Sequence, residues 1–594
     1  LLDGVAQWTP EREQEAIMQA SRSVAALICL GALAILAPAD AFADFTQQLQ
    51  FGSGTTIPIA WGDFNNDGRV DLAVGHNGGA NALFVNNGDG SYTQQAQFGS
   101  GATFAVAGAD FDNDGDLDLA VGRGSNQQNY LFVNNGSGTF TQQSQFGLKR
   151  TIAVAWGDSD NDGDLDLAVG NGILGLAEQN YLYINNGDGT FTQQLQFGLG
   201  QTDSLVWGDF DNDGDLDLAV GNGGFGFIGQ NYLYINNGNG TFTERAEFGS
   251  SDTASLAWGD CDNDGDLDMA VGNWDAHGCA LYVNNGDGTF TGQAQFGSRD
   301  TNTIVWADVD NDGDLDVAVG NGDFTSADQN YIYVNNGDGT FTETAELGLG
   351  STDSIAWADC DGDGDLDAAI GNEHSPGQNY LYVNNLDDGR SLRVRLVGHR
   401  HDRGIGYSNR DGVGAKVAIY DAGFVGQTDH LRGFREIEAH GGFSSENPIE
   451  AFFGVGAMTA VDLQITWPGS GGNHIVQRIL NVSVPQSITV DEAVPAGVED
   501  PASRLQGLRL WPNPTRDGAR IELAPGVSFG REVSIYSVNG ALIRTIPLEI
   551  GSDGGAAAVW DGRTGNGRPA APGVYLLHAQ GVGRTAGGRL LRLP

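Results

Sequence analysis

The chain has 594 residues, with 77 acidic side chains against 29 basic ones and a formal charge of −48. Residues 44–385 hold 51 of the acidic groups and 6 of the basic ones. That excludes nucleic acid as a partner of this region, since a polyanion would be repelled. The same region is rich in Leu, Val, Trp and Tyr, which excludes a disordered acidic tail, and the length requires several domains.

In chain order, Ser21-Arg22-Ser23 is a short basic start, residues 24–37 are an apolar run, and Ala41-Phe42-Ala43 is a small-residue cleavage site. The expectation is a signal peptide that begins at Met18, with residues 1–17 upstream of the true start, and is cut after Ala43. The run is too short for a transmembrane helix. Cys29 follows Ile28, a poor context for lipid attachment. Cys261, Cys279 and Cys360 are too few for a disulfide framework.

The stretch "DFDNDGDLD" at 110–118 puts five carboxylates into nine residues, and the pattern recurs seven times, starting at Asp63, Asp110, Asp158, Asp209, Asp260, Asp308 and Asp359. Successive starts lie 47 to 51 residues apart, a period typical of propellers and solenoids. Each period has four strand-like runs, A to D; in the fourth these are 203–207, 216–221, 231–236 and 241–248. The acidic loop joins A to B, and a Gly-Asp-Gly-type turn such as Gly187-Asp188-Gly189 joins C to D. Four strands per repeat and seven repeats predict an all-β fold led by a seven-bladed β-propeller. "FTQQLQF" (45–51) is a D strand with nothing before it, and the last period stops at its C strand, 379–385. The N-terminal strand is therefore expected to complete the last blade and remove two open edges. Trp61, Trp156, Trp207, Trp258, Trp306 and Trp357 each stand two residues before the acidic motif, with Gly108 in that place in the second repeat. These indoles are expected to pack between blades.

D-x-D-x-D-G-x-x-D is the front of an oxygen-ligand cation loop. Positions 1, 3 and 5 offer carboxylates, Gly at position 6 makes the turn, position 7 offers its carbonyl with its side chain toward solvent, and position 9 returns a carboxylate. No Glu follows at position 12, so the loop is not a full EF-hand. The candidate ligands are Asp63, Asn65, Asp67, Arg69 and Asp71; Asp110, Asp112, Asp114, Asp116 and Asp118; Asp158, Asp160, Asp162, Asp164 and Asp166; Asp209, Asp211, Asp213, Asp215 and Asp217. They continue with Asp260, Asp262, Asp264, Asp266 and Asp268; Asp308, Asp310, Asp312, Asp314 and Asp316; and Asp359, Asp361, Asp363, Asp365 and Asp367. All-oxygen ligation favours Ca2+, one ion per blade and up to seven in all, with affinities on the order of 0.1–1 mM. Asn65 and Arg69 make the first loop the weakest.

The runs "FDNDGDLDLAVGN" (210–222) and "NYLYINNGDGTF" (180–191) resemble the FG-GAP/VCBS repeats of integrin-α-like propellers over residues 45–385. The resemblance implies a calcium-binding propeller that recognises proteins or glycans. In an up-and-down blade the acidic loops share a face with the C–D turns, and the variable B–C loops share the other with the D–A connections. Candidate ligand contacts on that second face are Arg123, Lys149, Arg150, Phe225, Phe227, Trp274, His277, Arg299 and Phe324, with Leu174 beside them.

Past the propeller (44–389) the charge balances. "SNRDGVGAKVAIY", "REIEAHGGFSSENP", "FFGVG" and "LQITWPGSG" within 390–492 predict a small β-domain and resemble the ASPIC/UnbV domain. A linker, 493–504, leads to 505–594, where "LRLWPNPTRDGARIEL", "VSIYSVNGALIRTI" and "WDGRTGNGRPAAPGVYLLHA" resemble the FlgD-like immunoglobulin-type β-sandwich and the sorting tails of type IX secretion substrates. That resemblance implies contact with export machinery. No G-x-S-x-G, H-E-x-x-H or P-loop is present, and His399-x-His401 reads as a solvated basic turn, so no enzyme is expected. The expected role is a secreted or bacterial cell-surface, calcium-stabilised recognition or adhesion protein for an extracellular protein or glycan. The alternatives are a structural cell-envelope component and an enzyme acting on extracellular polysaccharide.

Overall fold

The computed structural model describes residues 45–492 and the strands of 508–592, apart from short loop segments that include 174–175, 224–227, 275–277, 323–326, 374–377, 401–406 and 440–443. The expected signal peptide, the linker and His401 lie outside the described residues.

Each sequence period forms one antiparallel four-stranded unit. In the fourth, A (Thr202–Gly208), B (Asp217–Asn222), C (Gly229–Asn236) and D (Phe242–Ser251) pair in that order. Seven such units follow one another, with A strands at Thr56–Gly62, Ser100–Ala109, Thr151–Gly157, Thr202–Gly208, Thr253–Gly259, Thr301–Ala307 and Thr352–Ala358. Each A strand contacts the next, and the seventh contacts the first, so the A strands line the centre of a ring. Closure follows the expectation: Phe45–Gln48 pairs antiparallel with Tyr380–Asn384 as the missing outer strand of the last unit.

The six tryptophans are buried between units. Trp61, Trp156, Trp207 and Trp306 each donate Nε1–H to a carbonyl of the preceding A strand, at Ala356, Ala107, Ala155 and Ala257 (3.1–3.3 Å). The indoles press on the glycine that ends the preceding A strand: a Cβ at Gly157, Gly208 or Gly259 would lie 2.8 Å from the next ring. Burying each ring contributes on the order of 2–3 kcal/mol, so the Trp-Gly pair welds neighbouring blades.

The second domain packs two sheets. One holds Ala451–Gly454, Ser391–Val397 and Gln486–Asp491; the other holds Leu431–Glu436, Lys416–Asp421, Ala460–Trp467 and Ile475–Ser483. Its core runs without a break into the third blade: Leu392, Val417, Leu463 and Trp467 join Val154, Trp156 and Leu165 in one cluster. The C-terminal region forms two four-stranded sheets over a core that includes Ile521, Val533, Ile535, Trp560 and Tyr575. Among the described residues no helix is long and apolar enough to cross a membrane. Cys261, Cys279 and Cys360 are buried and free.

Candidate metal centres

Each acidic loop is folded by its own carboxylates. In the second, Asp110 Oδ1 accepts from the Asp114 amide (2.9 Å) and Oδ2 from the Gly115 amide (2.6 Å), and Asp114 Oδ1 accepts from the Asp116 amide (3.0 Å). The position-9 carboxylate is anchored from outside the loop. Its Oδ1 accepts the amide of the Asn that ends strand C in all seven units, as with Asn134 to Asp118 at 2.7 Å. This leaves Oδ2 of Asp71, Asp118 and Asp217 buried with no hydrogen-bond donor.

Carboxylate oxygens converge accordingly. Asp110, Asp112 and Asp118 each bring one oxygen within 4.8 Å of the others, as do Asp209, Asp211 and Asp217; Asp260, Asp262 and Asp268; and Asp308, Asp310 and Asp316. In the third loop the converging trio is Asp158, Asp160 and Asp162. Burial pushes Asp118 up to about 10, against the lowering effect of the Asn134 amide, and the charges of Asp112, Asp110 and Asp114 add to the rise. Burial does most of the same at Asp71 and Asp268, both raised to about 7. Donorless buried oxygens and mutually repelling carboxylates in an all-oxygen set fit a hard divalent cation. Positions 1, 3, 5 and 9 would hold it, and its charge would cancel the repulsion within the loop.

Position 7 corrects the sequence expectation. Its side chain does not simply point to solvent; it is clasped by the preceding blade. The position-4 Asn takes a left-handed backbone (φ 54–59°) and donates Nδ2–H across the junction. Asn66 reaches Asp116, Asn161 reaches Asp215 and Asn212 reaches Asp266 at 2.6 Å, Asn263 reaches Asp314 and Asn311 reaches Asp365 at 2.7 Å, and Asn113 reaches Asp164 at 3.1 Å. At the seventh junction both partners are replaced, by Gly362 and Arg69. Arg69 turns instead to Asp67 and to the Asn86 carbonyl. The recurring Asn at position 4 was the signal for this contact.

The second domain lies on this face. Arg400 pairs with Asp164 (2.7 Å), Lys416 with Asp209 (2.7 Å) and Arg393 with Asp359 (3.0 Å). The Arg410 amide donates to Asn113 (2.8 Å), and the Gly454 amide to Asp308 (2.7 Å). Residues 444–447 run into the ring. Ser445 and Glu446 pair in parallel with Ile59 and Ala60, Ser445 Oγ accepts from the Ile355 amide (3.0 Å), and Asn447 Oδ1 accepts from the Trp357 amide (2.7 Å). Beside this plug a cavity of about 140 Å³ is lined by Trp258, Trp306, Trp357, Arg435 and Glu438 among others.

On the opposite face the sequence candidates are engaged within the chain. Arg123 lies over Tyr130 and donates to the Ser100 carbonyl, Lys149 pairs with Glu178 (3.1 Å), Arg150 lies over Phe104 (4.9 Å), and Arg299 pairs with Asp328 (3.0 Å). Trp274 donates Nε1–H to Asn302. Phe225, Phe227, His277, Phe324 and Leu174 lie outside the described residues. Among the described residues, exposed apolar groups on this face include Leu148, Leu176, Leu199, Ile228 and Leu349. Three of them replace the Ser of "FGS" connections (Ser53, Ser100, Ser250), a signal present in the sequence.

The FG-GAP-like repeat pattern matches residues 63–121, 110–169, 173–220, 224–271, 260–319 and 320–370, just over half of the chain. The chain belongs to the FG-GAP-like repeat family. Its FG-GAP-like region is followed by matches to ASPIC and UnbV over 406–496 and to the FlgD Ig-like domain over 515–584. No curated protein matches the chain. Among solved structures, BBS1N in complex with ARL6DN is similar at 12% identity and a TM-score of 0.40, covering 57% of this chain and 96% of that one. PorZ of Porphyromonas gingivalis, a bacterial surface component of the type-IX secretion system, is similar at 14% identity and a TM-score of 0.21, covering 91% of this chain and 81% of that one.

Proposed function

We propose that this chain is an exported calcium-binding recognition or adhesion protein. Its acidic loops hold calcium to stiffen the ring, and its B–C face takes an extracellular protein or glycan without turnover. The observation that carries the reading is the division between faces. The second domain occupies the loop face and plugs the ring, through Arg400, Lys416, Arg393 and Glu446. The opposite face keeps Leu148, Leu176, Leu199 and Ile228 on the B–C and D–A connections of neighbouring blades, each more than 60% exposed. Solvent-exposed leucines grouped on variable loops mark a contact surface. The experiment is binding of the intact chain to a panel of matrix proteins and glycans, with and without chelator. Binding that survives Leu148→Ser, Leu176→Ser, Leu199→Ser and Ile228→Ser together would place the contact elsewhere.

A further inference from the structure

Every A strand opens its pairing with strand B on a threonine and carries a register shift that begins at the next residue, at the end of the ring away from the acidic loops. In the sixth and seventh blades those residues are Asn302 and Asp353, 7% exposed each. Trp274 Nε1 donates to Asn302 Oδ1, and Asn302 Nδ2 donates to Asp353 Oδ1 at 3.1 Å. The Asp353 carboxyl in turn meets the carboxyl of Glu373, itself 9% exposed. Asn77 of the first blade donates Nδ2–H to Glu373 Oε1 at 3.1 Å. The chain of contacts thus runs from the fifth blade through the sixth and seventh to the first.

One link lacks a hydrogen. Asp353 Oδ2 is buried and no donor faces it; what it meets is another carboxyl group. Two buried carboxylates in contact cannot both be ionised, since a dyad of this kind keeps one proton. We propose that Asp353 and Glu373 share one proton in the folded chain, and that this proton completes a hydrogen-bonded belt tying the seventh blade to the first. Asp353 is the bearer: its O–H donates to Glu373, which also accepts from the Asn77 amide. Burial, with Glu373 next in effect, raises the pKa of Asp353 in the same direction.

The location gives the belt its consequence. The seventh-to-first junction is the one where Gly362 and Arg69 abolish the Asn–Asp clasp on the loop face, and it is closed on the outside by the four-residue strand Phe45–Gln48. The belt is a tie at that seam from the opposite side. Other charged groups facing it are Arg150, near both Glu373 and Asp203, and Asp252, near Asp203. His76 adjoins Asn77 and bonds to Thr56. Arg150 offsets part of the negative charge but leaves Asp353 Oδ2 without a donor.

The sign follows from linkage. A carboxyl whose folded-state proton affinity is raised stabilises the fold fully below the unfolded value and loses that contribution as pH rises through the folded one. The seam therefore tightens in acid and loosens in base. Asp353→Asn copies the protonated form: its Oδ1 still accepts from Asn302, and its Nδ2–H donates to Glu373 at every pH. The test is melting of the full chain in saturating calcium between about pH 5 and about pH 9, comparing wild type with Asp353→Asn. The expected result is coincident curves in acid and a gap of several degrees in favour of the variant in base. Hydrogen exchange at Tyr380–Asn384, compared between the two at each pH, should show faster opening of the wild type in base alone. If Asp353→Asn does not fold, Glu373→Gln, which also removes the need for a shared proton, serves the same comparison. Melting curves that stay parallel across this range, or a variant less stable at every pH, would overturn the shared proton.

Discussion

The backbone amide of Gly108 donates a 2.7 Å hydrogen bond to Oε2 of Glu446. Gly108 stands where the other six blades carry a buried tryptophan, and Glu446 is the tip of the segment that the second domain sends into the ring. The missing indole is thus the opening through which the plug is seated. A Cβ at Gly108 would meet Glu446, Asp118 and Phe64 no closer than 3.7 Å, so alanine fits and an indole does not.

Gly108→Trp should therefore unseat the plug while leaving the ring folded. Overpacking and a lost buried hydrogen bond together cost about 2–4 kcal/mol. Calorimetry should show the single transition of ring and second domain splitting in two, with Gly108→Ala unchanged. Retention of one transition in the Trp variant would show that Glu446 does not seat the domain.

Chelation should lower the melting temperature of the intact chain, and added calcium should restore it with midpoints of about 0.1–1 mM. Asp118→Asn should remove the ion of the second loop, because Asp118 supplies the buried oxygen that has no protein donor. Asp89→Asn, in an exposed C–D turn, should change nothing. Isothermal titration should also find the first loop weakest, since Arg69 places a cation beside Asp67.

The seam can be closed by restoring the clasp. Gly362 has φ 82° and open space around a built Cβ, so asparagine, which tolerates this backbone region, is accommodated. Gly362→Asn with Arg69→Asp should stabilise the ring by about 0.5–1.5 kcal/mol beyond the sum of the single changes. A double-mutant cycle by urea denaturation measures that coupling; additivity would mean no contact forms.

Hydrogen bonds from Arg432 and then His430 lower Asp421 to about 2. The contribution to stability is present above the ordinary carboxylate range and is lost as pH falls from about 4 through about 2. The Asp421 side chain is 30% exposed and that of Arg432 45%, so solvent screening holds the effect to about a few tenths of a kcal/mol. Asp421→Asn should flatten that part of the acid limb of the denaturation curve and leave neutral pH unchanged.

The repeat, its four strands, the closing N-terminal strand and the acidic positions were legible in the sequence because each is local. A nine-residue spacing sets a loop, alternation sets a strand, and a period of about fifty residues sets a blade. Asn66, Asn113 and their counterparts were also visible as a repeated letter, but the reach from position 4 of one blade to position 7 of the next is set by a left-handed backbone and a junction between blades. Neither is written in any single repeat.

The sequence by itself determined the ring and its carboxylates, since those follow from hydrogen bonding and burial within one period. Tertiary structure alone decided which face stays open, because that depends on where residues more than three hundred positions apart, such as Gly108 and Glu446, come to lie. It also decided that Asn77 of the first blade meets Glu373. Pairing of strands A and B within the seventh blade sets Asp353 beside Glu373, but only closing the ring brings the first blade to them.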